Sequence, residues 1–97
     1  MPTKDQLLRE AAEKESLAAA FMRYARALPQ AFEGLPAGPG DCAPFWTGPA
    51  AERFLTQALR SRREVAELAE ACLATAENLR RRAGRLREEA ARVPDPA

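Results

Sequence analysis

The sequence contains no histidine at all. That absence removes the side chain most often used as a general base near neutral pH, the commonest metal ligand, and the imidazole partner of Ser and Cys nucleophiles. Aromatic residues are scarce, at 6% of 97 residues, and alanine supplies much of the 46% that is apolar. Alanine favours helix but buries little area, so a thin and closely spaced core is expected. There is no apolar run long enough to span a bilayer, and the opening Met1-Pro2-Thr3-Lys4-Asp5-Gln6 carries no signal-peptide core. A soluble chain without a cleaved signal peptide is therefore expected. Neither sign of charge dominates, since fifteen basic and fourteen acidic side chains leave +1. That balance argues against a dedicated polyanion binder. The carboxylates are spread along polar faces and interleaved with arginine, so no catalytic residue, metal site or cofactor is expected and the chain reads as a non-enzyme.

What the sequence does contain is helix periodicity. Thr3 followed by Gln6 has the form of a capping box. Apolar residues then recur as Leu7, Ala11, Ala18, Phe21, Ala25, Leu28 and Phe32, with Lys14 in the one polar slot. Those steps alternate four and three, the spacing of a heptad seam. Leu8, Ala19 and Met22 widen the face, while Asp5 to Arg9 and Glu10 to Lys14 are well-oriented i,i+4 charge pairs. This predicts a helix over about 4–32, with a kink or a fresh turn at Pro29 and a stop at Gly34 and Pro36. Residues 33–48 form a Pro/Gly-rich loop, longer than most helix–helix connections.

A second helix is expected over about 49–92. Gly48 or Thr47 can cap it, and Pro49 suits its first position. Its seam runs Leu55, Ala58, Arg62, Val65, Ala69, Cys72, Ala76, Leu79, Ala83, Leu86, Ala90 and Val93 without a stutter over five heptads. The whole chain thus reads as one all-α domain, an antiparallel two-helix hairpin. The candidate hairpin and dimer contacts are Phe21, Leu28, Phe54, Leu55, Leu59, Val65, Leu68, Cys72, Leu73, Leu79 and Leu86.

Folding the chain back so that Phe32 sits beside Pro49 makes paired positions sum to about 81, so residues 78–92 overhang by roughly 22 Å. That overhang still carries Leu79 and Leu86, which need a partner, and two hairpins forming a four-helix bundle would supply it. The same register sets Arg62 near Glu15. It also separates Cys42, in the loop, from Cys72 by roughly 34 Å, too far for a disulfide. Both thiols are expected to be free.

The tripeptide Trp46-Thr47-Gly48 sits mid-chain between the two helices and leads into Pro49-Ala50-Ala51-Glu52-Arg53-Phe54. In motif, position and chain length it resembles the WXG family of small type VII secretion substrates. The resemblance implies a Trp-X-Gly turn, with Trp46 plugging the open end of the hairpin. It also implies a homodimer or heterodimer with another WXG-like chain, contact with a secretion ATPase, and export from the cytoplasm without a cleaved signal peptide. Two features depart from the family. The loop is longer, and the C-terminal tyrosine with an acidic residue four positions on is missing, since the only tyrosine is Tyr24.

A different class of function rests on Arg80, Arg81, Arg82 and Arg85. Residues 78–92 hold six arginines against Glu88 and Glu89, a local +4. This stripe suits contact with an anionic partner, as in an intracellular adaptor or regulator. No aromatic residue lies within it for base stacking, which argues against nucleic acid and favours an acidic protein.

Overall fold

The structure, a computed structural model, describes residues 1–33 and 47–95. Helix α1 spans Lys4–Ala31 and helix α2 spans Pro49–Arg92. They pack along one another as an all-helical antiparallel pair. The radius of gyration is 22.0 Å and the extents are 78 × 15 × 14 Å. A compact chain of this length would have a radius near 12–13 Å, so the molecule is a rod two helices thick.

Each helix starts for a local reason. At α1 the Thr3 hydroxyl accepts from the Gln6 N–H at 3.1 Å, and the Thr3 N–H donates to Gln6 Oε1 at 2.8 Å. The expected capping box is present, and it satisfies backbone donors that the first turn leaves open. At α2 the N-cap is Gly48, with φ 102° and ψ −177°, and Pro49 occupies the first turn. This backbone region is open essentially to glycine alone. The Gly48 carbonyl accepts the Glu52 N–H at 3.0 Å and begins the helical ladder.

Two boundary expectations change. Pro29 lies inside α1, which runs on to Ala31 without a fresh turn, and Phe32 is the C-cap. Proline so near the end removes one hydrogen bond of the final turns and leaves most of the helix untouched. Gly34, Pro36, Cys42 and Trp46 lie outside the described residues.

The seam is where the spacing places it. The buried positions are Leu7, Ala11, Ala18 and Ala25 in α1, and Ala51, Ala58, Ala69, Cys72, Ala76, Leu79, Ala83 and Ala90 in α2. Nine of these twelve are alanine, and no large side chain is fully buried among them. Small side chains let the two backbones approach closely, at the cost of buried area per residue. The largest contribution comes where Leu79 meets Ala18 and Ala76, with Phe21 and Met22 packed around them.

The register differs from the expected one. Lys4 Nζ meets Asp95 Oδ1 at 2.9 Å, and Arg87 pairs with Glu15. Further along, Leu28 and Ala31 share a groove with Cys72 and Leu68. Facing positions therefore sum to about 94–102 rather than 81. Residues 78–92 do not overhang, because α1 covers them. The excess length lies at the other end of α2, where about nineteen residues, some 28 Å, run past Ala31. In that stretch Ala51 and Ala58 are buried, and Leu55, Leu59, Arg62 and Val65 are half-buried.

Charge and packing both accord with the observed register. A seam repeating every seven residues tolerates several registers, and the flanking residues select among them. The observed one sets Glu10, Glu13 and Glu15 of α1 alongside the arginine-rich end of α2 and joins Lys4 to Asp95. Arg62 is consequently remote from Glu15, whose partner is Arg87. Cys72 lies beside Leu28 rather than near Arg9, and its thiol is free and buried.

The two described glycines should respond oppositely to alanine. Gly48→Ala forces a side chain into a positive-φ conformation and should cost about 1–3 kcal/mol. Gly84 sits inside α2, and a methyl there would meet nothing within 4 Å. Gly84→Ala should therefore stabilise by about 0.5–1 kcal/mol through helix propensity. Urea denaturation followed by circular dichroism measures both. A neutral Gly48→Ala would show that α2 begins with another geometry.

Candidate association surface

Large apolar side chains that the hairpin does not cover define the surface of interest. In the helices Leu8, Leu17, Tyr24, Phe54, Leu68 and Leu73 are exposed. Leu17 and Tyr24 are seven residues apart, and Ala31 is seven further on, so the three form one row along α1. Glu10 begins that row. Phe54, Ser61, Leu68, Thr75, Arg82 and Glu89 form the matching row along α2 by the same spacing.

These two rows border one flank of the hairpin. A groove of about 430 Å³ on it is lined by Tyr24, Ala27, Leu28, Ala31, Leu68 and Cys72. Among those side chains only the tyrosine hydroxyl and the thiol carry a polar atom. Phe21 packs edge-on to Tyr24, with centroids 6.1 Å apart and planes at 88°, which holds the phenol in place. Further along the same rows Glu10, Lys14, Arg82, Arg85, Leu86 and Glu89 line a charged recess of about 340 Å³. Lys14 also lies 3.8 Å from Glu10, the expected i,i+4 pair. The other expected pair is altered, since Arg9 Nε donates to the Asp5 carbonyl at 3.4 Å.

The proposed contact residues divide by depth. Leu79 and Cys72 are buried within the hairpin, and Phe21, Leu28, Leu55, Leu59, Val65 and Leu86 are half-buried. Phe54, Leu68 and Leu73 are exposed, with Leu68 on the grooved flank. Leu17 and the apolar role of Tyr24 were not picked out from the sequence. Their seven-residue spacing was the available signal, obscured because Glu10 begins the row.

Arg80, Arg81, Arg82 and Arg85 are all exposed. They are not an isolated basic face, because the observed register sets α1 carboxylates beside them. Hydrogen bonding from the Arg87 guanidinium holds the Glu15 carboxyl below its usual range, with Arg80 adding to the effect. The hydrogen bond from Lys4 likewise lowers Asp95. Both pairs are solvent-exposed, so each adds little to the stability of the fold.

Among the described residues, no group of three or more Cys, Asp or Glu side chains could hold a metal ion. No described helix is long and apolar enough to cross a membrane. Comparison with family models, with curated proteins and with solved structures finds no match to this chain.

Proposed function

We propose that this chain is a WXG-like helical protein, a substrate or pairing subunit of a type VII secretion system that acts by helix–helix association. The observation that carries the reading is that Gly48, the glycine of the Trp-Thr-Gly tripeptide in the sequence, caps the start of α2 in a conformation that only glycine adopts readily. Further support comes from the helical hairpin itself and from its incompletely covered apolar flank. Export is the test. Secretion into the medium should require the type VII membrane ATPase. Secretion that persists when the ATPase is deleted would refute the assignment.

A second reading is an intracellular adaptor that presents Arg80, Arg81, Arg82 and Arg85 to an acidic protein. Their exposure along one end of α2 favours it. Retention in the cytoplasm, with salt-sensitive capture of an acidic partner lost on replacing these arginines by glutamine, would put this reading first.

A further inference from the structure

We propose that the hairpin has a second register one heptad away, reached when α1 slides about 10 Å along α2 toward Pro49, and that this slide closes the groove beside Tyr24. The motion belongs to a single chain and needs no partner.

The seam fits both positions. In the observed register Ala18, Ala76 and Leu79 form one buried cluster with Phe21 against it. Steps of seven from that contact set Ala11 opposite Leu86, Ala25 opposite Cys72 and Leu28 opposite Ala69, large against small. One heptad earlier Ala11 meets Leu79, Ala18 meets Cys72, Phe21 meets Ala69 and Ala25 meets Val65. Large still faces small. The cost falls at the ends, where Leu28 arrives at Arg62 and Ala90 and Val93 lose the cover of the first turn of α1. The observed register is therefore the favoured one. Its neighbour is accessible because no large side chain is fully buried across the seam.

The flanking charges repeat at the same interval. Glu15 pairs with Arg87, and Arg80 stands seven residues earlier in the same row of α2. Lys4 moves from Asp95 to the level of Glu88 and Glu89. Glu10 gains a partner, since it shares a recess with Glu89 in the observed register and the slide sets it opposite Arg82. One step is all that the charges permit. A second heptad would bring Lys4 to Arg81 and Glu15 to Leu73, and a slide the other way would carry Glu15 to Pro94.

The consequence falls on the groove. In the observed register Ala31 lies beside Leu68, and Tyr24 stands one heptad away at the level of Thr75. After the slide Tyr24 stands over Leu68 and fills the space, so the groove exists in one register alone. Its opening is thereby coupled to the covering of Ala90, some 33 Å further along α2. The chain between the helices offers no resistance, because the slide brings Ala31 nearer to Pro49.

The native thiol of Cys72 reads both registers. In the full chain with Cys42→Ser, Ala25→Cys should form an intrachain disulfide with Cys72 in the observed register. Ala18→Cys should form one only after the slide, and Ala11→Cys needs two heptads. Mild oxidation, non-reducing electrophoresis and peptide mapping give the rate of each intrachain product. Ala18→Cys should bridge more slowly than Ala25→Cys but at least about ten-fold faster than Ala11→Cys. Two charge variants should move the Ala18→Cys rate in opposite directions, each by about three- to five-fold. Arg82→Glu opposes Glu10 in the slid register and should slow it. Arg87→Gln removes the observed partner of Glu15 while keeping Arg80, and should speed it. Bridging by Ala18→Cys no faster than by Ala11→Cys would overturn the second register. The same response to both charge variants would overturn the slide in favour of local opening of the seam.

Discussion

Ala76→Asp should abolish the hairpin. Ala76 is fully buried beside Ala18 and Leu79, where α1 and α2 approach closely. A carboxylate there has no water and no basic partner within the core cluster, and an uncompensated buried charge costs at least about 3 kcal/mol. The side chain is also larger than the space, so the helices must part and release the Leu79, Phe21 and Met22 contacts as well. A core built mainly of alanine has little stability in reserve. Far-ultraviolet circular dichroism should show most of the helical signal lost at a temperature where the wild-type chain is fully helical. Ala66→Asp is the control, since Ala66 is exposed on the same helix. It changes helix propensity by the same amount, at most about 0.7 kcal/mol, and should stay folded. Equal loss in both variants would mean that propensity alone governs α2 and that its seam is not closed at Ala76.

Leu79→Ala should cost about 2–5 kcal/mol, the range for deleting a buried leucine. This result discriminates the register. If residues 78–92 overhung, Leu79 would have no intrachain neighbour and its truncation would be nearly silent in a monomer. In the observed register it packs on Ala18, Phe21 and Met22. Met22→Ala should therefore couple to it, with the double variant departing from additivity by about 0.5 kcal/mol or more. Leu73 is exposed, and Leu73→Ala should cost less than about 1 kcal/mol. Urea titration of the four variants measures the set. A Leu79→Ala cost below that of Leu73→Ala would restore the shorter register.

The two helices and their seam were legible because they depend on local rules. Thr3 and Gln6 mark one start, Gly48 and Pro49 the other, and every apolar position of the four-three repeat is buried or half-buried. Pro29 does not begin a fresh turn, because only the last turn of helical bonds follows it. The candidate surface was legible in part. Leu68 is exposed as a flank residue and Cys72 is buried in the seam, whereas Leu79, expected to meet a partner, belongs to the hairpin's own interior.

The sequence by itself determined that the chain forms two helices of unequal length, which face of each turns inward, and how thin an alanine core must be. Those properties follow from propensity, caps and a seven-residue period, all of which act over a few residues. Only the tertiary structure decided how far along α2 the shorter helix lies. Sliding one helix by whole heptads keeps apolar against apolar, so the period cannot distinguish the alternatives. The distinction comes from pairs far apart in the chain, Lys4 with Asp95 and Glu15 with Arg87, and from the fit of Leu79 against Ala18. That slide moved the surplus length of α2 from its arginine-rich end to its beginning. It also brought Tyr24 and Leu28 beside Leu68 and Cys72, creating a groove that neither helix possesses alone.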